Sequence, residues 1–284
     1  MAKNQKNNHS RSRSKSTRIK RHKILITGSE GFIGSAITRE LIKKNFEIYG
    51  IGRKRRDVKK YKYFKIDLTK KKVLENFFNK NNFDSVIHTA WITNPLTMRN
   101  SELNKNWLQV SKNILNCHLK NKGKKFYCIG TSDEYYRQKN KKNKCIENKS
   151  KIINLNSYAK NKILFYRYLK KSKISHVWFR VFWLFGNKEN RKRFFPQVIS
   201  RLSKNKNTEI KNPEIGLDYT NVDDAAKMIV KVISKKNSNG IYNICSGDYK
   251  NLGKIAQFIA KILNKKKYLK FRESKIKTKN LRLY

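Results

Sequence analysis

Residues 23–34, KILITGSEGFIG, decide how this chain folds. Lys23–Thr27 is a short apolar run typical of a buried strand, and apolar residues recur at helical spacing after Gly34. Glycines between a strand and a helix let backbone N–H groups approach a pyrophosphate, whose charge the positive end of the helix stabilises. The stretch therefore predicts a dinucleotide-binding turn whose contacts to the cofactor come from Gly28, Gly31, Phe32, Ile33 and Gly34.

Beyond this turn, short apolar runs alternate with helical patterns. The predicted strands are Phe46–Ile51, Tyr63–Ile66, Ser85–Thr89, Phe126–Ile129 and Val177–Phe182. The predicted helices are Val73–Phe78, Leu108–Leu119 and Tyr158–Leu169. Such alternation predicts an α/β fold with a doubly wound parallel sheet.

The composition excludes several classes of protein. Aromatic residues make up 12% of the 284 residues, which is too many for a wholly disordered basic chain. The four cysteines form no CxxC pair, so we expect neither a disulfide scaffold nor a metal site. We find no apolar run of membrane-spanning length and no apolar secretory signal, and we expect a cytoplasmic protein without a membrane partner.

The charge is the most unusual property of the sequence. Lysine and arginine number 69 against 19 acidic residues, which gives a net charge of +50. A nucleic acid, an anionic membrane or a phosphorylated substrate would fit this surplus. Lysine and asparagine are enriched together along the whole chain, however, which favours a general compositional bias and makes nucleic acid an unlikely partner. Residues 1–22 are basic and poor in large apolar side chains, and they predict a disordered tail.

The end of the second strand indicates the choice of cofactor. An acidic residue at this point would bind the ribose 2′-hydroxyl of NAD. This chain instead has four consecutive cations, Arg53 to Arg56, before Asp57. They suit a 2′-phosphate, so NADP is favoured, with NAD as the alternative and Arg53 as the predicted contact.

Tyr158 and Lys162 form the predicted catalytic pair. Their i, i+4 spacing places them on one face of a helix, where the ammonium can lower the pKa of the phenol. Ser132, Asp133 and Glu134 follow the fifth strand, at the edge where parallel sheets bind ligands. Ser132 can hydrogen-bond a reacting carbonyl. The two carboxylates are either acid/base partners or ordinary loop residues.

Together these motifs resemble the extended short-chain dehydrogenase/reductases, within the NAD-dependent epimerase/dehydratase group that modifies nucleotide sugars. The motifs are TGSEGFIGS, DLT at 67–69, HTA at 88–90, TSDEYY, YAKNK and GLDYTNVDDAA at 216–226. The resemblance implies a Rossmann-type domain at 23–175. It also implies that residues 176–284 combine the last Rossmann elements with a small C-terminal substrate-binding lobe.

The resemblance also assigns residues to the two ligands. It implies that Asp67, Leu68 and Ala90 join the glycines, Tyr158 and Lys162 at the cofactor. The residues assigned to a nucleotide diphosphate-sugar substrate are Trp91, Trp183, Arg193 and Asp218. A homodimer is the implied assembly.

Several positions depart from the family pattern, namely Trp91, Trp107, Arg137 and Trp183. The chain is most similar to the abequose/paratose-synthase-like branch, which implies reduction of a 4-keto-6-deoxy sugar. The Ser132–Glu134 tract also resembles that of 4,6-dehydratases, so a dehydratase or 4-epimerase with bound NAD stays open. From a different class, a dinucleotide fold that binds RNA and a cofactor-sensing regulator are the remaining alternatives.

Overall fold

The computed structural model describes residues 21–54, 57–136, 145–153 and 156–272. The strands are β1 His22–Thr27, β2 Phe46–Gly52, β3 Lys62–Lys65, β4 Ser85–His88, β5 Lys125–Thr131, β6 Ser175–Val181, β7 Trp183–Phe185, β8 Thr208–Lys211, β9 Gly216–Asn221, β10 Gly240–Ile244, β11 Tyr249–Asn251 and β12 Leu269–Arg272. The helices are α1 Phe32–Ile42, α2 Lys71–Lys80, α3 Leu103–Lys120, α4 Ser157–Lys171, α5 Phe194–Ser203, α6 Val222–Ile233 and α7 Leu252–Ile262. Every strand and helix predicted from the sequence is present, with ends that shift by at most a few residues.

The main sheet has seven strands within the described part of the chain, in the order β10-β6-β5-β4-β1-β2-β3. All of its neighbouring strands are parallel. The strand order reverses between β1 and β4, and ligands of such sheets bind at the carboxyl ends of the strands near this reversal. The predicted doubly wound Rossmann-type fold is thus confirmed, and the fold itself indicates where to look for the site.

Alternating side chains of β1 reach two separate cores, as the two-residue period of a strand requires. Ile24 and Ile26 pack with α1 and α6 on one face of the sheet. Leu25 packs with α2, α3 and α4 on the other face. Because helices cover both faces, the strands read as continuous apolar runs rather than as alternating ones.

Two small sheets lie in the second half of the chain. Strands β7, β9 and β11 form one of them, and β8 pairs with β12 in the other. A third apolar cluster joins α5, β8 and α7 through Val198, Leu202, Ile210, Ala256 and Ala260. After residue 175 the chain passes alternately through the main sheet and this smaller lobe, while the domain limits themselves stay a prediction.

The predicted tail at 1–22 lies almost wholly outside the described residues. The first strand begins at His22, and the extent of the tail stays a prediction. Arg55, Arg56 and Arg137 also lie outside the described residues. Among the helices that the structure describes, none is both long enough and apolar enough to cross a bilayer.

Candidate active site

The glycine turn joins β1 to α1 at the carboxyl edge of the main sheet. Gly28 has a φ of +72°, a left-handed conformation that favours glycine. A Cβ on Gly34 would overlap with the carbonyl oxygen of Gly28. No side chain in the described ranges caps the N-terminus of α1, so the N–H groups of its first turn are available to an anion. This turn fits the pyrophosphate of a dinucleotide.

A buried histidine holds the turn against the neighbouring strand. His88 at the end of β4 hydrogen-bonds Thr27 Oγ1 and Ser111 Oγ, both at 2.8 Å. Burial lowers the pKa of His88 to about 3, so its imidazole is neutral. Ala90 lies next to Gly28, close enough that a Cβ on that glycine would contact it. The HTA motif therefore fixes the position of the glycine turn.

The predicted adenosine contacts lie at the ends of β2 and β3. Arg53 is exposed directly after β2. The carboxylate of Asp67 accepts hydrogen bonds from the backbone N–H and the hydroxyl of Thr69, at 3.0 and 2.7 Å, and these bonds lower its pKa. Leu68 is buried in the core next to it. Their contacts with a cofactor stay predictions.

A cavity of about 340 Å³ opens at the carboxyl edge of β5 and β6, beside the start of α1. It brings together residues that the sequence predicted separately: Phe32, Ile33, Trp91, Ser132, Asp133, Tyr158, Lys162, Trp183 and Arg193. Sequence reasoning missed Arg99, Lys188 and Asn190, which also line it. These three residues lie in loops without a recognisable motif. The sequence feature that could have indicated them is that their loops follow the strands β4 and β7.

The helix α4 sets the geometry of Tyr158 and Lys162. Asn156 caps it by accepting the N–H of Ala159 at 2.8 Å, and the N–H of Tyr158 donates to Arg99 O at 2.9 Å. Lys162 is 2% exposed, and its Nζ donates to Ile129 O at 2.7 Å. The same Nζ lies 5.8 Å from the centre of the Tyr158 ring.

The electrostatics of this pair differ from the sequence expectation. Burial raises the pKa of Tyr158, and the carboxylates of Asp133 and Glu134 raise it further. Burial also lowers the pKa of Lys162, to about 8, which leaves the ammonium charged at neutral pH. Desolvation and the nearby carboxylates thus raise the pKa of Tyr158, whereas the sequence led us to expect that Lys162 would lower it. The Lys162 ammonium donates to a carbonyl oxygen, and the catalytic role of the pair stays a prediction.

Ser132, Asp133 and Glu134 form a tight 3-10 turn after β5. The Thr131 hydroxyl accepts the N–H of Asp133 at 3.2 Å, and Glu134 Oε1 accepts the N–H of Thr131 at 2.9 Å. Ser132 and Asp133 line the cavity. Asp133 Oδ2 lies 3.0 Å from Arg99 Nε, so its carboxylate is already paired at the cavity mouth.

Glu134 points away from the cavity into the core. Its carboxylate accepts hydrogen bonds from Arg180 Nε at 2.8 Å and from Trp178 Nε1 at 3.0 Å. Arg180 and Glu134 are 3% and 1% exposed, and burial raises the pKa of Glu134. The predicted acid/base role of Glu134 is thus not supported by its surroundings, which make it a structural partner of Arg180.

Asp218 also lies elsewhere than predicted. It is fully buried, and its carboxylate accepts the N–H groups of Ser246 and Gly247 at 2.8 and 2.7 Å. These bonds fix the turn after β10, and Asp218 is not among the described residues that line the 340 Å³ cavity. No group of His, Cys, Asp and Glu side chains in the described ranges is arranged to hold a metal ion.

A larger cavity of about 1550 Å³ adjoins the first one, and Lys188 lines both. Phe185 and Phe195 stack inside it with ring centres 4.7 Å apart, and Tyr219 meets Phe195 edge-on. Arginine and lysine side chains at positions 191, 201, 250 and 254 also line it. Aromatic faces next to cations are suited to a ligand with both a flat ring and negative charge.

Comparison with known proteins identifies the family. The model of the NAD dependent epimerase/dehydratase family matches residues 24–245. The chain belongs to this family. The match runs through most of the chain, so the predicted resemblance is confirmed at the level of the family.

Relatives within the family carry out different reactions, to judge by their names. The chain is 28% identical to a dTDP-D-glucose 4,6-dehydratase of Dictyostelium discoideum, over 78% of this chain and 58% of that protein. It therefore spans little more than half the length of that relative. It is 26% identical to a GDP-6-deoxy-D-talose 4-dehydrogenase of Aggregatibacter actinomycetemcomitans, over 79% of this chain and 74% of that protein.

Solved structures support the fold. A UDP-glucuronic acid 4-epimerase from Bacillus cereus, in complex with UDP-glucuronic acid and NAD, superposes with a TM-score of 0.78. The two chains are 22% identical, and the match covers 92% of this chain and 88% of that one. At this identity the similarity concerns the architecture alone.

Proposed function

We propose that the chain is an NAD(P)-dependent oxidoreductase of nucleotide-linked sugars, and that it reduces the ketone of a 4-keto-6-deoxy sugar. The observation that carries this choice is the position of Glu134. A 4,6-dehydratase uses both acids of this tract, whereas here Asp133 alone lines the cavity and Glu134 is bound to Arg180. One acid, one serine and the Tyr158–Lys162 pair are sufficient for reduction of a ketone.

The residues of the chain have distinct roles in this proposal. Ser132 donates a hydrogen bond to the reacting carbonyl, and Tyr158 gives its proton to the oxygen as the carbonyl becomes an alcohol. The ammonium of Lys162 favours the phenolate that remains. The glycine turn holds the pyrophosphate of a nicotinamide dinucleotide, which supplies the hydride when bound.

The adjoining larger cavity is the proposed site of the nucleotide part of the substrate. Its aromatic side chains suit a base, and its lysine and arginine side chains suit phosphates. Arg193 lines the smaller cavity next to it, where it would face the diphosphate. The relative named as a 4-dehydrogenase of a GDP-linked 6-deoxy sugar supports this substrate class.

NADP is the proposed cofactor, and NAD is the alternative. Arg53 lies exposed after β2, at the position where an acidic side chain would select NAD. A guanidinium favours the 2′-phosphate that distinguishes NADP. Solved proteins of the same fold are complexes with NAD, which is why both cofactors belong in the test.

The deciding experiment combines mass spectrometry with a turnover assay. We expect exchangeable NADPH, and we expect absorbance at 340 nm to fall when a nucleotide-linked 4-keto-6-deoxy sugar is added. Tyr158→Phe should remove this turnover while NADPH still binds. Retained NAD with interconversion of two sugars and no net NADPH consumption would instead identify a 4-epimerase, and our proposal would be wrong.

The same preparation tests the RNA-binding alternative. Binding to RNA through this basic surface would weaken steeply as the salt concentration rises, because phosphate contacts release counterions. Cofactor binding at the glycine turn is expected to change much less with salt. Tight, salt-sensitive RNA binding without any turnover would favour the binding protein over the enzyme.

A further inference from the structure

Lys162 has an aromatic partner that the proposed reaction does not yet include. Its Nζ lies 3.8 Å from the centre of the Trp91 ring, which is within the range of a strong cation–π contact. The Trp91 ring also meets the Tyr158 ring edge-on, with centres 6.2 Å apart. The indole therefore contacts both members of the catalytic pair from the β4 side.

The indole is held in this position by a buried amide. Trp91 Nε1 donates to Asn104 Oδ1 at 2.9 Å. The amide nitrogen of Asn104 donates in turn to Met98 O and Ser101 O, at 2.7 and 2.9 Å. Asn104 is fully buried, so each of these bonds is made in a water-poor environment where losing it is costly. The amide thus fixes the indole and the loop that carries it.

The charged groups around Lys162 leave the indole as an important partner of the ammonium. Cys128 on β5 is neutral, because burial raises its pKa to about 12, and His88 on β4 is neutral as well. Glu134 acts on Lys162 from the turn after β5, but its carboxylate is paired with Arg180. Tyr158, one turn earlier on α4, is a neutral phenol. The ammonium thus sits between the carbonyl oxygen of Ile129 and the face of Trp91.

We infer that Trp91, held by Asn104, is a positioning residue that keeps Lys162 charged and in place between Ile129 O and the indole face, beside the Tyr158 ring. The indole face stabilises the ammonium but not the neutral amine, so it opposes the desolvation that favours proton loss. Only the consequence for catalysis rests on the proposed function. The contact itself is a property of the folded chain.

The first test measures this contact without any substrate. Tryptophan emission is recorded as a function of pH, since a charged ammonium on an indole changes its fluorescence. We expect a transition near pH 8 in the wild type, and we expect it to be absent from Trp91→Phe and from Lys162→Met. Trp107→Phe is the matched control, because that ring lies 6.4 Å from Trp91 and should leave the transition in place. A transition that persists in Trp91→Phe would overturn the inference.

The second test uses the pH profile of turnover, and it separates a positioning role from a merely structural one. Activity should be lost as the pH rises through the pKa of Lys162, because the neutral amine no longer favours the phenolate. In Trp91→Leu the pH at which activity is lost should be lower by roughly 0.5 to 1.5 units, which is the equivalent of one cation–π contact. Trp91→Phe should shift the loss of activity by less, because phenylalanine keeps an aromatic face. Asn104→Ala should give an intermediate shift, and it serves as the substitute variant if Trp91→Leu fails to fold.

The two tests distinguish a failure of the positioning role from a failure of the proposed function. A fluorescence transition that behaves as expected, in a protein that turns over no sugar nucleotide, would leave the contact intact and refute the proposed function. Turnover with a pH limb that is identical in wild type, Trp91→Leu and Asn104→Ala would refute the positioning role and leave the proposed function intact.

Discussion

Replacing Arg180 with methionine tests the buried ion pair behind the turn at Ser132–Glu134. The substitution keeps an apolar stem of similar length but removes the guanidinium that binds Glu134 Oε2 at 2.8 Å. It also removes hydrogen bonds to the Tyr135 hydroxyl and to Glu147 O, at 3.1 and 2.9 Å. Glu134 would then be a buried carboxylate that keeps its hydrogen bonds from Trp178 and Thr131 but has lost its ion-pair partner.

The structure sets the size of the effect. Both side chains are almost wholly buried, and breaking such a pair by removing one partner costs about 3 to 5 kcal/mol. At roughly 2 °C per kcal/mol for a chain of this length, the melting temperature should fall by roughly 6 to 10 °C. An exposed pair provides the control: Arg39→Met breaks the contact with Asp223 on the surface and should cost less than about 1 kcal/mol.

Urea unfolding followed by circular dichroism measures these free energies, and the pH dependence gives a second check. Without Arg180 the pKa of Glu134 should rise further, so the folded state binds a proton that the unfolded state releases. The variant should therefore recover stability as the pH falls from 7 toward the ordinary pKa of a glutamate. The double variant Arg180→Met with Glu134→Gln should be more stable than Arg180→Met alone at pH 7.

Two results would refute this reasoning. The first is an Arg180→Met variant that loses no more stability than Arg39→Met. The second is a double variant that is no more stable than the single one at pH 7, because the loss would then arise from packing rather than from an unpaired carboxylate.

Three further predictions concern the cofactor and the core. Gly34→Ala should reduce NADPH binding by at least tenfold in a fluorescence titration, because its Cβ would overlap with Gly28 O; unchanged affinity would contradict the assigned turn. Arg53→Ala should weaken NADPH but not NADH, and an equal loss for both would remove the case for NADP. The neutral, buried His88 has a pKa of about 3 against 6.5 in the unfolded chain. The free energy of unfolding should thus fall by roughly 1.4 kcal/mol per pH unit as the pH falls below 6.5. His88→Gln should reduce this dependence of the unfolding free energy on pH. The same dependence in the variant and the wild type would contradict the prediction.

The fold was predictable because it depends on local patterns. The apolar runs, the helical spacing and the glycine turn at Gly28–Gly34 each determine a short segment, and their alternation determines the sheet. Tyr158 and Lys162 were predictable for the same reason, since i, i+4 spacing on a helix fixes their relative position. The sequence also correctly indicated that Ser132 and Asp133 would meet them at the carboxyl edge.

The parts that were not predictable depend on contacts between distant segments. Adjacent carboxylates at Asp133 and Glu134 look alike in the sequence, and only the packing of β6 shows that Arg180 draws one of them into the core. Asp218 was assigned to the substrate by resemblance, yet it binds a turn that comes nearly thirty residues later. Arg99 lines the cavity from a loop that has no recognisable sequence motif. The burial of Tyr158, which raises its pKa, depends on distant segments and cannot be predicted from the residues next to it in the sequence.

The packing of α6 against α1 limits how the protein can be divided. The core that contains Ile26 and Ala36 also contains Val222, Ala226 and Ile229, which the chain supplies some two hundred residues later. A fragment that ends near residue 175 would leave β5 as a bare sheet edge and the α1 side of the sheet without α6. Such a fragment would be prone to aggregate through that edge. Experiments on the proposed dinucleotide-binding domain at 23–175 therefore require a chain that extends through β10.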